Sequence, residues 1–171
     1  MSKTFVIGID FGGVLSIHDS KYINQQNLEH RNTLINMDYA IDSLKQLHIN
    51  NNHLYLISFC GKKRAYDTHK SIGDSGISYL FKNEFYVKDR QYKKNICSYL
   101  GCHFMIDDNL DILDDIKKNN PLIVTIWFNG SKHSSHKVAK NWKEVIKIID
   151  TTEYFEIPPY KHDITKYIYQ V

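Results

Sequence analysis

The chain has 171 residues, of which 42% are hydrophobic and 24% charged, enough to bury a sizeable core without cross-links. Its net charge of +3 is too small to mark a nucleic-acid-binding protein, though it suits an anionic ligand. Three cysteines without CxxC spacing, no secretion-signal pattern and no apolar run of membrane-spanning length lead us to expect a soluble, intracellular, cytoplasmic protein.

Residues 4–10 (TFVIGID) are an apolar, β-branched run that ends on Asp10 and is followed by two glycines, the pattern of a buried strand delivering a carboxylate to a turn. Residues 16–37 are polar and weakly periodic and are expected to form a flap or minimal cap. Over 38–48, Ile41, Leu44 and Leu47 share one helical face. A second strand, HLYLIS (53–58), ends on Ser58, and the Lys62, Lys63 and Arg64 that follow are expected in a charged rim loop, either solvated or steering anions.

NEFYVK (83–88) is a further strand candidate, and residues 93–100 place Ile96 and Leu100 on one helical face. HFMID (103–107) predicts a strand running into the acid pair Asp107 and Asp108, followed by a helix over 110–118 with Leu110, Leu113 and Ile116 inward. LIVTIWF (122–128) is the last strand expected. A helix over 136–149 carries Val138, Trp142, Val145 and Ile149, with Ser134 or Ser135 as N-cap. The remainder, 151–171, contains Pro158, Pro159 and several tyrosines and is expected to pack on the outside.

Strands alternating with helices predict an α/β, doubly wound, Rossmann-like parallel sheet of order 3-2-1-4-5, helices on both faces, as a single domain over 1–171. Such sheets bind ligands beyond the carboxyl ends of their strands, beside the first one. Asp10, Ser58, Asp107 and Asp108 would meet there.

With these residues in view, the chain resembles the haloacid dehalogenase-like (HAD) superfamily of phosphohydrolases. Asp10-Phe11-Gly12-Gly13-Val14-Leu15 looks like its first motif, Ser58 like its second, Lys93 like the third (with Lys94 and Lys88 as rivals), and Asp107-Asp108 like the fourth. The resemblance implies that Asp10 attacks phosphorus to give an aspartyl-phosphate, a route open to a carboxylate when surrounding charge is neutralised. It also implies Mg²⁺ held by Asp10, the Gly12 carbonyl and Asp108, with Asp107 acting through water, because successive strand residues point to opposite faces. Ser58 and Lys93 would bind the phosphoryl group, flanked by Phe11, Gly12 and Phe59.

One position departs from the pattern: Gly12 stands where family phosphatases carry a second aspartate as general acid, a loss worth about 10²- to 10⁴-fold in rate. Three readings follow: a phosphatase whose acid comes from elsewhere, with His18 and Asp19 as candidates; an impaired pseudoenzyme that binds phosphorylated ligands or a protein partner; or, as a minor alternative, a haloacid dehalogenase. A cap this small implies an open site that admits a small phosphometabolite or a macromolecular phosphate end, nucleic acid included, or that closes by homodimerisation. His133 and His136 have a spacing found in zinc sites, but no third and fourth ligand is evident in the sequence. Cys60 near the crevice reads as buried rather than reactive.

Overall fold

A computed structural model describes residues 4–17 and 33–171. Six parallel strands form one sheet: β1 (Val6–Ile9), β2 (His53–Phe59), β3 (Asn83–Val87), β4 (Phe104–Asp107), β5 (Val124–Phe128) and β6 (Lys137–Ala139). Their order is β3-β2-β1-β4-β5-β6, so the expected doubly wound order holds and is extended by one strand. The helices are α1 (Ala40–Ile49), α2 (Lys62–Asp74), α3 (Lys93–Leu100), α4 (Leu110–Asn119) and α5 (Trp142–Thr151). Among the described residues no helix is long and apolar enough to cross a membrane.

Side-chain alternation along each strand divides the core in two. Ile7 and Ile9, Leu54 and Leu56, Phe104 and Ile106, and Ile126 and Phe128 face α1, α2 and α5. Ile57, Met105 and Trp127 face the other way, toward Ile96 and Cys97 of α3 and Ile112, Leu113 and Ile116 of α4.

Two local expectations are corrected. Residues 137–139 are strand β6, and the last helix begins only at Trp142, capped by the Asn141 side chain rather than by Ser134 or Ser135. Helical spacing of Val138 with Trp142 suggested one continuous helix, but an Asn cap bonding Glu144 N resets the start. Likewise Lys62, Lys63 and Arg64 do not form a loop. They open α2, whose buried stripe of Ala65, Thr68 and Ile72 is short and set among charged residues.

The segment linking β1 to α1 was expected to be a flap, and its residues 18–32 lie outside the described residues. Its two ends are clamped together: Asn36 N and Met37 N both donate to the Leu15 carbonyl, at 3.0 and 2.9 Å, and Ile17 N donates to Asn36 Oδ1 at 2.8 Å. Within the turn after β1, Gly13 takes φ 78°, a left-handed conformation that costs a side-chain-bearing residue about 1 kcal/mol or more. Gly12 does not require positive φ. The turn is anchored from outside by Trp142, fully buried, whose Nε1 donates to the Val14 carbonyl at 2.8 Å.

Residues 153–171 run back across the α3 side, burying Ile157 and Ile164 in that half of the core. They end against the outer edge of β3, where Val87 and Ile168 form an antiparallel bridge and Tyr169 N donates to the Tyr86 carbonyl at 2.9 Å.

Replacing Trp142 by Phe keeps a ring in the core but leaves the Val14 carbonyl without its buried donor. We expect a loss of about 1–3 kcal/mol in urea unfolding, with the m-value unchanged.

Candidate active site

The site grows directly from strand register. β1 and β4 are neighbours with Ile9 opposite Ile106, both in the α1/α5 half of the core. The next residue on each strand, Asp10 and Asp107, therefore turns to the opposite face, side by side at the carboxyl edge of the sheet. Lys93, the first residue of α3, lies on that face. Its Nζ donates to Asp10 Oδ1 at 2.9 Å and to Asp107 Oδ2 at 2.7 Å. All three residues are at least 90% buried.

The rival lysines go elsewhere: Lys94 pairs with Asp115 at 3.2 Å, and Lys88 lies over the Tyr169 ring. Ser58, Phe59, Gly12 and Asp108 line the same open crevice of about 240 Å³. Phe11 does not line it. The Phe11 side chain is buried in the core. His18 and Asp19 lie outside the described residues.

Strict alternation suggested that Asp107 and Asp108 would not both face one ion, but β4 ends at Asp107 and the chain bends at Asp108. One oxygen from each of Asp10, Asp107 and Asp108 lies within 4.8 Å of the others. Both Asp107 oxygens are nonetheless engaged, Oδ2 by Lys93 and Oδ1 by the Asn109 amide at 3.0 Å. Asn109 is the cap of α4, accepting from Ile112 N at 3.2 Å, and the Asp108 carbonyl accepts from Trp127 Nε1 at 3.2 Å.

Of the three basic residues expected on the rim, Arg64 lines the crevice, from the third position of α2. What sequence reasoning missed is the helix itself, signalled by Gly61 followed by Ala65, Thr68 and Ile72 at helical spacing. A helix beginning there turns Lys62 and Lys63 outward and Arg64 inward, and its N-terminus favours anions nearby.

Burial raises the pKa of Asp10 against the opposing pull of Lys93. Asp107 is pushed up to about 6, by burial first and by the charge on Asp10 second. Burial also opposes the charge on Lys93, but the two carboxylates outweigh it and hold the ammonium above its ordinary value. Cys60 is buried and its thiol is pushed up to about 11, so it stays protonated at neutral pH. Three carboxylates thus meet beside the shared Lys93 ammonium. An all-oxygen set of carboxylate donors fits a hard divalent cation such as Mg²⁺.

No protein-family profile matches the chain, and no curated protein does. Solved structures do match. A HAD-superfamily hydrolase from Ehrlichia chaffeensis aligns with a TM-score of 0.59 over 88% of this chain and 98% of its own, at 12% identity. The core domain of a Streptococcus pneumoniae protein described as a phosphoglycolate phosphatase aligns with a TM-score of 0.54 over 89% and 98%, at 14% identity. The chain has the fold of the HAD-superfamily hydrolases. Magnesium-bound YfnB from Bacillus subtilis, described as a HAD hydrolase, aligns over 69% of this chain and 57% of its own, with a TM-score of 0.54 and 18% identity. At these identities the likeness is one of fold.

Lys93→Met removes the cation between two buried carboxylates while keeping the length of the stem. In metal-free buffer it should lower unfolding free energy by about 3–5 kcal/mol, and added Mg²⁺ should recover part of that loss in a thermal melt.

Proposed function

We propose that the chain is a Mg²⁺-dependent phosphohydrolase with Asp10 as nucleophile. The observation that carries this reading is the Lys93 ammonium held at 2.9 Å from Asp10 and 2.7 Å from Asp107, in a crevice shared with Ser58 and Asp108. Lys93 fixes one oxygen of Asp10 and leaves the other to approach phosphorus in line. Ser58 donates to a phosphoryl oxygen, and Arg64 adds positive charge at the mouth. The P–O bond to the leaving group breaks as the Asp10 Oδ–P bond forms; water then attacks the acyl-phosphate and frees Asp10 and inorganic phosphate. Asp10, Asp108 and the Gly12 carbonyl would hold Mg²⁺, with Asp107 joining through water. When bound, Mg²⁺ neutralises phosphoryl charge as a Lewis acid.

The dehalogenase alternative would have a haloacid anion approach a cluster of three carboxylates without a metal, which disfavours it. Gly12 favours a second reading, the pseudoenzyme, because among the described residues the crevice contains no carboxyl beyond the three aspartates. For either reading the ligand is a phosphate monoester. An open crevice of about 240 Å³ is sized for a phosphoryl group and the first atoms beyond it, leaving the rest of the ligand outside.

Three measurements separate these readings. Aryl phosphate hydrolysis should require Mg²⁺ and stop with EDTA. Asp10→Asn, which keeps the shape and removes the nucleophile, should reduce turnover to background with little change in melting temperature. A pseudoenzyme would instead bind phosphate or beryllofluoride with Mg²⁺ and turn nothing over.

Leaving-group dependence tests Gly12. With no acid at this position, rates should fall steeply as leaving-group pKa rises from aryl to alkyl phosphates. Gly12→Asp imposes no positive-φ strain. It should flatten the dependence and raise alkyl phosphate turnover by up to roughly 10²-fold.

A further inference from the structure

A second group of ligating side chains lies outside the crevice, near edge strand β6. Asp114 comes from α4, His133 from the loop between β5 and β6, and His136 from the residue before β6. One donor atom from each lies within 4.8 Å of the others. The two histidines thus gain a third ligand that sequence spacing did not reveal, from a helix some twenty residues upstream.

We propose that Asp114, His133 and His136 bind a zinc ion that staples the β5–β6 loop to α4. Two imidazoles and one carboxylate are donors that zinc takes in tetrahedral sites, with water completing the fourth position, whereas a hard cation would favour an all-oxygen set. Tetrahedral bonds of about 2.0–2.1 Å put donor atoms about 3.3 Å apart, so closing the cluster requires movements of about 1 Å. Asp114 is 54% exposed and His133 half-buried, so both can make them, while His136 is the fixed member, its side chain fully buried.

The setting of His136 is what distinguishes the cluster from a chance meeting of polar side chains. Its Nδ1 lies 2.5 Å from Thr125 Oγ1 and its Nε2 lies 2.6 Å from Asp114 Oδ1. Thr125 is buried and held in β5 opposite Met105 of β4. A hydroxyl donates or accepts as required. Without metal it donates to Nδ1 while Nε2–H bonds Asp114; with metal it accepts from Nδ1–H and frees the Nε2 lone pair for the ion. Ligating histidines ordinarily have such a partner behind them.

The loop itself has need of a staple. β5 and β6 are parallel but joined only by residues 129–136, without a helix, fewer than the dozen or so usual for a parallel crossover. Its sequence, NGSKHSSH, contributes no apolar side chain to the core. Gly130 lies flat against the Trp127 indole, where any Cβ would overlap the ring. The His133 ring meets the same indole edge-on at 6.1 Å and stands 4.8 Å from the His136 ring, so both imidazoles are already side by side.

This inference does not depend on the phosphohydrolase reading, and its test uses the whole chain. EDTA-treated, dialysed protein is titrated with Zn²⁺ by calorimetry, in excess Mg²⁺ to occupy the carboxylate crevice, and melted with and without zinc. Wild type should bind one equivalent and melt higher. His133→Ala leaves the His136–Asp114 pair intact, so its zinc-free melt should match wild type while its affinity falls by at least about 10-fold. Thr125→Val, which removes only the hydroxyl behind His136, should weaken binding by about 10- to 100-fold. Asp108→Asn, in the crevice, should leave zinc affinity unchanged. No zinc binding by wild type, equal binding by His133→Ala, or loss of binding in Asp108→Asn would each overturn the site, leaving His136–Asp114 as a plain hydrogen-bonded contact between the β5–β6 loop and α4.

Discussion

One ammonium group shared by two buried carboxylates governs the arrangement of this molecule. Asp10 and Asp107 are brought together by parallel pairing of β1 with β4, and burial drives both toward the neutral form. Lys93 offsets them only because α3 starts at that residue, on the face to which both acids turn. The requirement runs outward from there. The register of β1 and β4 must hold to a single residue, since a slip by one would send either acid into the opposite half of the core, among Ile9, Ile106 and Trp142. A buried ion cluster of this kind is weak evidence for stability and stronger evidence for chemistry, because an apolar trio would pack there at less cost.

The strands and amphipathic helices around this cluster were legible in the sequence because each buries a regular stripe: Ile7 and Ile9, Leu54 and Leu56, Leu44 and Leu47, Leu113 and Ile116. β6 was not. Three residues are too few to show a period, and Val138 fell into helical phase with Trp142 by coincidence. α2 was hidden for a different reason: of its core-facing residues Ala65, Thr68 and Ile72 only the last is large and apolar, and they stand among nine more hydrophilic neighbours and a glycine, so it carries little apolar signal. Arg64 was placed on the rim, but its inward turn was hidden with the helix.

Site residues divide in the same way. Asp10, Ser58 and the acid pair sit at strand ends, where an apolar run breaking on a polar residue is visible by eye. Choosing among Lys88, Lys93 and Lys94 needed the helix start, because one residue along a helix is a rotation of about 100°, enough to separate a side chain buried between two acids from one that pairs with Asp115 at the surface. Asp114 was beyond sequence reasoning altogether. It looks like any acid on an exposed helix face until the β5–β6 loop folds back onto it.

The stretch after α5 bears on how the sheet meets other proteins. An open parallel sheet has two unsatisfied borders, and a border that is long and unpaired invites a second chain to add a strand. Here one border is β6, only three residues long. On the other, the antiparallel contact of Ile168 with Val87, with backbone bonds on either side from Tyr169 to Tyr86 and from Lys88 to Tyr167, occupies groups that β3 would otherwise present to solvent. The tyrosine-rich tail thus acts as a selvedge, finishing the fabric at the side where β3 would otherwise recruit a neighbour.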